Sequence, residues 1–242
     1  EFQLFHKRTR KINSYICRRA NLVTAVSSNL GEDAKKQLKI KKYYVIYNGI
    51  HKKNIHKRVV SNELKALQLI SVSRLVSWKH IDIIIKAIVD IDNVELSIIG
   101  EGREKENLEV LVSELNINHK VNIIGYVPNR DINNYLLESD IFILPSSADS
   151  FGIVFLEAMA CGLPIIAARA GGVPEVVQED YNGILIEPGN IDELKLAIIK
   201  LKDNLTLRKS YSENSLKLIK DRFSWSISSR NTLSAYEKYS DN

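Results

Sequence analysis

The chain is poor in the residues that stabilise disulfide-rich or zinc-bound proteins. Its 242 residues include only two cysteines, Cys17 and Cys161, and neither has a second cysteine or a histidine at ligand spacing. A disulfide framework and a structural zinc site are therefore not expected. The chain has no run of about 18 apolar residues, so no transmembrane helix is predicted. It also has no apolar segment after a basic start, as a secretory signal peptide would have. We therefore expect a cytoplasmic protein.

Methionine and candidate metal ligands are also scarce. The only methionine is Met159 and the chain starts at Glu1, so we expect a fragment or a processed piece of a longer polypeptide. Asp90 and Asp92 match a metal-binding Asp-x-Asp pattern, but we interpret them as a polar turn before a strand. Five histidines without ligand spacing are expected on the surface or in linkers: His6, His51, His56, His80 and His119. No metal site is predicted.

Composition favours a globular protein with an anionic partner. Hydrophobic residues make up 45% and charged residues 26% of the chain, which is typical of a folded domain. The net charge of +5 and the isoelectric point of about 9.0 favour nucleotide phosphates, acidic lipid headgroups or nucleic acid as partners. Because no aromatic platform or known module accompanies the charge, we do not expect nucleic-acid binding.

Short β-branched runs alternate with amphipathic stretches from about residue 43 onward. This alternation is typical of parallel βαβ units, and runs that are apolar on both faces indicate strands covered by helices on both sides. We predict an α/β fold: a Rossmann-like, doubly wound parallel sheet whose ligand crevice lies at the carboxyl ends of the strands. The predicted strands are Tyr43–Tyr47, Leu67–Val72, Val94–Ile99, Val121–Ile124, Ile141–Leu144, Pro164–Ala168 and Gly183–Ile186.

The two ends of the chain differ from this pattern. Residues 1–42 read as a basic helix, an isolated strand and a second helix, which are too few elements to close a core and are typical of the tail of a preceding domain. The basic helix either lies on an anionic membrane surface or has lost the domain that covers its apolar side. Residues 43–222 form the predicted Rossmann-like domain, and 223–242 a final helix. The predicted terminal elements are Phe2–Arg19, Leu22–Val26, Asn29–Leu38, Leu205–Lys220 and Trp225–Tyr239.

The segment that follows the strand ending at Leu144 predicts a phosphate site. A small polar loop leads into a helix that starts near Phe151, and unpaired amides at a helix start bind phosphate. Asp149 lies just before this helix and Glu157 about six residues into it, roughly 9 Å along the axis at about 1.5 Å per residue. The two carboxylates are therefore spaced to hold the ribose and the sugar of a nucleotide sugar. The amides expected to face its phosphates are those of Gly152, Ile153 and Val154.

This segment resembles the acidic motif of the family 4 retaining glycosyltransferases, which have the two-domain GT-B fold. In that motif seven residues separate two glutamates, here represented by Asp149 and Glu157, so the first position has Asp where the family usually has Glu. Further matches are Ala25–Ser27, Tyr47–Ile50, Ser73-Arg74-Leu75 with Lys79, Gly100-Glu101-Gly102 and Gly125-Tyr126-Val127-Pro128. His80 departs from the glycine that commonly follows the lysine. The resemblance covers about residues 22–221.

The resemblance implies transfer of a sugar from a UDP- or GDP-sugar to an acceptor hydroxyl, with retention of configuration and without a metal or other cofactor. Preorganised cations and helix amides stabilise the charge that a leaving nucleoside diphosphate gains, which is the physical reason for Arg74 and Lys79. The implied contacts are Arg74 and Lys79 with the diphosphate, Glu157 with the ribose, Asp149 and the Phe151, Gly152, Ile153 and Val154 amides with the sugar, Gly125, Tyr126 and Val127 with the base, and Glu101 near the ligand.

Residues 1–42 are expected to be only a remnant of the implied acceptor-binding half, most of which is missing. We therefore expect a chain that binds the donor but transfers little or no sugar alone, and a final helix that crosses back to the missing domain. Two alternatives share these motifs: a donor-binding subunit of a split enzyme, completed by a partner polypeptide, and a nucleotide-sugar epimerase. The epimerase requires acid and base groups that the sequence does not reveal.

Overall fold

The computed structural model describes residues 7–51, 55 and 66–240. The first residues of the predicted basic helix, 2–6, and His56 lie outside this part. The helices are α1 Lys7–Arg19, α2 Ser28–Leu38, α3 Ile81–Ala87, α4 Lys105–Glu114, α5 Asn129–Glu138, α6 Ile153–Ala160, α7 Ile191–Lys202, α8 Leu205–Asp221 and α9 Trp225–Ser240. The strands are β1 Thr24–Ala25, β2 Tyr44–Val45, β3 Leu67–Val72, β4 Val94–Ile99, β5 Val121–Gly125, β6 Ile141–Leu144, β7 Ile165–Ala168 and β8 Gly183–Ile186.

Six strands form one parallel sheet in the order β5-β4-β3-β6-β7-β8. Every residue of β6 and β7 is buried, as required of central strands covered on both faces. The predicted α/β Rossmann-like fold is therefore confirmed. The strand order reverses between β3 and β6, so the crevice outside their carboxyl ends is the expected ligand position.

The two strands nearest the N-terminus correct the sequence prediction. The segment 22–26 is not isolated, because β1 pairs in parallel with β2, Thr24 opposite Tyr44 and Ala25 opposite Val45. The predicted strand at 43–47 therefore pairs with the preceding residues and not with the six-stranded sheet. β2 is only two residues long and half-buried, so local sequence did not determine its partner.

Packing of α6 against the sheet fixes the position of the helix that follows β6. Phe155 of α6 is fully buried and meets Phe142 of β6 edge-to-face, with 5.7 Å between ring centroids. Burial of a ring of this size contributes strongly, since Phe→Ala in a core costs about 3–5 kcal/mol. The start of α6 is thus held rigidly above the carboxyl end of β6.

The C-terminal helices return to the start of the chain. The Ile50 N–H donates to the Phe223 carbonyl over 2.8 Å, and Ser228 Oγ donates to the Tyr47 carbonyl. Gly49 allows this approach, because a Cβ there would lie 2.3 Å from the Trp225 nitrogen. None of the helices described has both the length and the apolar character needed to cross a bilayer.

Candidate functional site

The loops that follow β3 and β6 meet at the point where the strand order reverses. A short 3₁₀ helix, Ser77–Lys79, follows β3, and its Trp78 carbonyl accepts hydrogen bonds from the Ser147 N–H (3.0 Å) and from Ser146 Oγ (3.3 Å). Ser146 is completely buried, whereas Ser147 is exposed. These hydrogen bonds fix the loop carrying Asp149 relative to the loop carrying Lys79.

Lys79 and Asp149, both predicted site residues, form an ion pair. Lys79 Nζ lies 2.8 Å from both Asp149 Oδ1 and Oδ2, and the side chains are only 11% and 16% exposed. Bidentate, charge-assisted contacts of this kind are stronger than neutral hydrogen bonds. The site therefore holds one cation and one anion in a fixed geometry at the crevice.

His80 explains the glycine that is usual after this lysine. His80 has φ of 52°, in the left-handed region that favours glycine. For a residue with a side chain this conformation costs about 1–2 kcal/mol. The chain therefore keeps the turn that glycine would make and accepts a small strain, so that the departure from the motif leaves Lys79 in the crevice.

Two glycines press the following loop against Asp149. The Gly172 N–H donates to the Asp149 carbonyl over 2.8 Å, and a Cβ on Gly171 would lie 2.2 Å from that oxygen. Only glycine at 171 permits so close an approach, and its φ of 56° also favours glycine. The backbone of Asp149 is thus held from the side of β7 as well as from β3.

The helix after this loop begins later than predicted. α6 starts at Ile153, with Gly152 as its N-cap at φ 80°, because this left-handed residue turns the chain into the helix. Phe151 lies before the helix, and its buried ring stacks on Tyr47 at 5.8 Å, so its side chain belongs to the core. The N–H groups of Ile153 and Val154 open the helix, where main-chain donors have no intrahelical partner.

Glu157 is half-buried in α6, and its carboxylate makes no hydrogen bond or ion pair with any residue in the described ranges. Burial raises the pKa of Glu157 above its ordinary value. Burial, and then the charge of Glu157, raise the pKa of Cys161 to about 12. With the helix starting at Ile153, Glu157 lies four residues on, about 6 Å along the axis at about 1.5 Å per residue and not the 9 Å predicted.

Arg74 lies at the carboxyl end of β3, as predicted, and is exposed. Its guanidinium carbon is 6.0 Å from the centroid of the Trp78 ring, within the range of a cation–π contact. Lys79 is the last residue of the 3₁₀ helix and contacts Asp149, whereas Arg74 precedes the helix and contacts the indole.

A second group of predicted residues lies at the carboxyl ends of β4 and β5. Glu101 Oε1 accepts hydrogen bonds from the Tyr126 N–H (3.1 Å) and from Lys105 Nζ (3.0 Å). The Lys105 hydrogen bond lowers the pKa of Glu101, against a smaller effect of burial. Gly125 has φ of 84°, Tyr126 is 73% exposed and Val127 is buried. Glu101 therefore joins two loops and presents the Tyr126 side chain to solvent.

Residues 27–29 are attached to the loops that follow β6 and β7. Both oxygens of Glu175 accept main-chain N–H groups at the start of α2, Ser28 at 2.9 Å and Asn29 at 3.0 Å, and the Tyr47 hydroxyl also donates to Glu175. Burial alone would raise the pKa of Glu175, but these donors outweigh it and the pKa lies below its ordinary value. Ser27 Oγ donates to the Ser150 carbonyl over 2.6 Å. We call Ser27, Ser28, Asn29, Ser150 and Glu175 the clamp.

A cleft of about 260 Å³ lies beside the clamp, between α2 and the loop after β6. Its walls are Asn29, Leu30 and Asp33 on one side and residues 147–150 with Gly171 on the other. Asp149 therefore borders both the Lys79 contact and this cleft.

Sequence reasoning missed Trp78 and the contacts that Ser27 and Glu175 make. Glu175 ends the turn 171–175, and the structure makes it the cap of a distant helix, α2. Serine is a preferred N-cap residue, and the Ser27 side chain does accept the Leu30 N–H over 3.1 Å. The contact of Ser27 with Ser150 spans 123 residues and has no local signal.

A parallel sheet with this strand order and loops converging at its reversal point defines the Rossmann-like α/β class. Among solved structures, Anabaena Alr3699/HepE in complex with UDP-glucose has a similar fold, with a TM-score of 0.84 and 25% sequence identity over 100% of this chain and 70% of that chain. The neighbours with this fold are GT-B glycosyltransferases.

The family model for glycosyl transferases group 1 matches residues 52–218. The chain therefore belongs to the group 1 glycosyltransferases, as its motifs predicted. Its relatives include an uncharacterized glycosyltransferase of Methanocaldococcus jannaschii, 34% identical over 197 residues that cover 81% of this chain and 54% of that protein. The N-acetyl-alpha-D-glucosaminyl L-malate synthase of Bacillus anthracis is 31% identical over 215 residues, 84% of this chain and 56% of that protein. The chain spans about half the length of these relatives.

Proposed function

We propose that this chain binds a UDP- or GDP-sugar and supplies the donor half of a retaining glycosyltransferase that transfers the sugar to an acceptor hydroxyl. The observation that carries the proposal is the Lys79–Asp149 pair beside the start of α6, at the point where the strand order reverses. A cation and helix amides suit a diphosphate, and an adjacent carboxylate suits sugar hydroxyls.

Each side chain has a distinct role in this proposal. Lys79 and Arg74 bind the diphosphate and stabilise the negative charge that develops on it as the glycosidic bond breaks. Asp149 accepts hydrogen bonds from sugar hydroxyls, with the main-chain N–H groups at 151–154 beside it. Glu157 has its hydrogen-bonding capacity available in the described structure and accepts the ribose hydroxyls. No metal or other cofactor is needed, since the cations and amides carry the charge.

The base lies, in this proposal, against the loops after β4 and β5. Gly125, Tyr126 and Val127 form the contact surface, and the exposed Tyr126 ring offers a stacking face. Glu101 acts there through its hydrogen bond to the Tyr126 N–H, which holds the loop in position. The relative solved with UDP-glucose supports a nucleotide sugar as the ligand class.

Retention in a single step requires that the acceptor hydroxyl attack from the face of the sugar that the leaving diphosphate occupies. Lys79 holds the departing diphosphate on that face, and Asp149 fixes the sugar beside it. The acceptor itself binds mainly to a second half, which a preceding domain or a partner subunit supplies. This half corresponds to the part of the relatives that this chain does not match. This chain alone then binds the donor with little or no transfer.

Helix α1 supports the proposal of a missing half. Ile12, Tyr15 and Ile16 are 61%, 59% and 57% exposed and share one side of the helix. We propose that a preceding domain or partner covers this apolar face, and that α9 packs across to it. The alternative is peripheral contact of the basic helix with an anionic membrane in the cytoplasm. Sedimentation with phosphatidylserine vesicles tests this alternative, and charge-neutral vesicles are the control.

A thermal-shift screen with UDP, GDP, ADP and their sugars tests the proposed function. A ligand that binds the native state raises the melting temperature by mass action. We expect a shift with one nucleoside diphosphate and its sugar, and none with the matching nucleoside. Incubation of the nucleotide sugar with the chain alone checks for an epimerised sugar, which donor binding without epimerase activity does not produce. A melting temperature that no nucleotide or nucleotide sugar raises above that of the protein without ligand would rule out donor binding.

A further inference from the structure

Trp78 brings two arginines from different loops to one ring. The guanidinium carbon of Arg103 lies 5.8 Å from the Trp78 centroid, and that of Arg74 lies 6.0 Å from it. Arg74 follows β3 and Arg103 follows β4, so two neighbouring strands deliver these cations to the same edge of the sheet. Arg103 is 68% exposed and Nη2 also contacts Ser77 Oγ at 3.5 Å.

The backbone makes this arrangement rigid. The Leu75 N–H donates to the Glu101 carbonyl over 2.9 Å, and the Glu104 N–H donates to the Leu75 carbonyl over 3.1 Å. Gly102 lies between them, and a Cβ there would be 2.1 Å from the Leu75 oxygen. Since only glycine allows this approach, the residue after it, Arg103, is held beside the 3₁₀ helix that carries Trp78.

A shared ring changes what two arginines can do. A free arginine loses considerable side-chain entropy when it binds a ligand, and a cation–π contact orders the guanidinium beforehand. Two like charges on one indole also repel each other, so an anion that contacts both relieves repulsion as it binds. The gain in binding affinity is largest for an anion with two linked charged groups, such as a diphosphate, because it can contact both arginines.

We infer that Trp78 is a positioning residue that presents Arg74 and Arg103 as a paired cation, and that Arg103 binds the diphosphate in addition to Arg74 and Lys79. This inference rests on the proposed function and names a further phosphate-binding residue for the same site. The selectivity it predicts is for diphosphate over monophosphate at equal base.

Calorimetric titration of the chain with UDP and UMP, or GDP and GMP if the screen selects guanine, tests the inference. We expect Arg103→Ala to weaken diphosphate binding about tenfold and monophosphate binding less, because a charge-assisted hydrogen bond is lost. Trp78→Leu should weaken diphosphate binding about threefold, and Trp78→Phe, which keeps an aromatic face, should bind like the parent. Arg230→Ala, an exposed arginine of α9, is the matched control.

The double variant Trp78→Leu with Arg103→Ala separates positioning from general damage. If Trp78 acts through the arginines, the double variant loses less than the product of the single losses. A Trp225→Phe background leaves Trp78 as the only tryptophan, and its fluorescence should then respond to the diphosphate but respond less when Arg103 is alanine.

Three results with the variants overturn the inference. Arg103→Ala that binds both nucleotides like the parent removes the new phosphate contact, and Trp78→Phe that is as weak as Trp78→Leu removes the role of the ring face. Fully multiplicative losses in the double variant also contradict positioning. A parent chain that binds no nucleotide overturns the proposed function as well, whereas a parent that binds while Arg103→Ala is unchanged overturns this inference alone.

Discussion

At the residue scale, Lys79 and Asp149 neutralise each other's charge in the unliganded protein. Their bidentate contact at 2.8 Å lies largely out of water. In the proposed function, the donor's diphosphate accepts a hydrogen bond from Lys79 and its sugar hydroxyls donate hydrogen bonds to Asp149. These contacts replace part of the ion pair. The pair therefore keeps both groups oriented before binding, which lowers the ordering cost of the complex.

The two members of this pair should respond differently to substitution. Lys79→Ala removes a charge-assisted contact with phosphate worth about 1.5–3 kcal/mol, so we expect at least tenfold weaker nucleoside-diphosphate binding. Asp149→Asn frees Lys79 for the phosphate, so binding of the nucleoside diphosphate should be kept or strengthened. The asparagine variant should lose the preference for the nucleotide sugar over the nucleoside diphosphate. Calorimetric titration with both ligands measures these constants.

Lys217→Ala, on the exposed side of α8, is the control for general charge effects. Its affinity for both ligands should equal that of the parent. If Asp149→Asn weakened the nucleoside diphosphate as much as Lys79→Ala does, the pair would be a structural unit and the assignment of Asp149 to the sugar would be wrong.

Glu157 should show a conflict between stability and binding. Because burial raises its pKa, the charged carboxylate is disfavoured in the native state, and Glu157→Gln should raise the melting temperature at pH 7. This gain should be present above the raised pKa and disappear as the pH falls through it to the ordinary glutamate pKa of about 4.3. The same variant should bind the nucleoside diphosphate about tenfold more weakly, as a neutral amide is a poorer partner for two hydroxyls.

Thermal denaturation across pH 4–8 and nucleotide titration at pH 7.5 measure these two effects of Glu157→Gln. The exposed Glu213→Gln on α8 is the control and should change neither. A Glu157→Gln variant with unchanged affinity would exclude Glu157 from the ribose contact, even if the melting temperature rose as expected.

At the element scale, the clamp connects α2 to the loops of the proposed donor site. Glu175 caps α2 through the Ser28 and Asn29 N–H groups, and Ser27 reaches Ser150, the residue after Asp149. A capping carboxylate stabilises a helix by about 0.5–2 kcal/mol. The clamp therefore holds the start of α2 against the loops of the proposed site.

The clamp should weaken in acid. The pKa of Glu175 lies below its ordinary value, so its contribution is complete above the ordinary glutamate pKa and is lost as the pH falls through the lower native pKa. Glu175→Gln should remove about 1 kcal/mol at pH 7, which corresponds to about fivefold faster hydrogen exchange in α2. Exchange measured by mass spectrometry at pH 7 and pH 4 should show this difference shrink in acid. A difference that grows in acid would contradict the capping role.

Strands and helices with strong periodicity were predictable, whereas elements that depend on distant partners were not. β3, β4, β6 and β8 match their predicted bounds, because their buried β-branched runs are bounded by turn residues. The predicted start of α6 near Phe151 is two residues too early, because Gly152 has a left-handed φ of 80° and the helix begins only after it. The Lys79 and Asp149 contact was predicted only as a shared crevice, because 70 residues separate the two.

At the scale of the whole molecule, the six-stranded sheet forms the main unit, and the described N-terminal residues form a much smaller one. β1 and β2 form a two-stranded sheet, and α1 exposes Ile12, Tyr15 and Ile16. The matches that cover 81–84% of this chain cover only 54–56% of these relatives. These facts fit a donor-binding half whose acceptor side is supplied elsewhere.

We therefore expect the chain to bind a nucleotide sugar but to release no more nucleoside diphosphate with an acceptor than without one. A coupled assay for nucleoside-diphosphate release, with simple sugars and lipid extracts as acceptors, measures this. Adding the acceptor half as a separate polypeptide should restore transfer if the enzyme is split. Full transfer by the chain alone would contradict the division between the two halves.

A crystal structure of the chain with the nucleoside diphosphate selected by thermal shift tests the central claim most directly. We predict phosphate oxygens within hydrogen-bond distance of Lys79 Nζ, with the ligand at the start of α6 and the ribose against Glu157. A nucleotide bound instead in the cavity of about 560 Å³ beside α1, which is lined by Arg18, Lys39, Lys41 and Lys42 among others, would contradict the account.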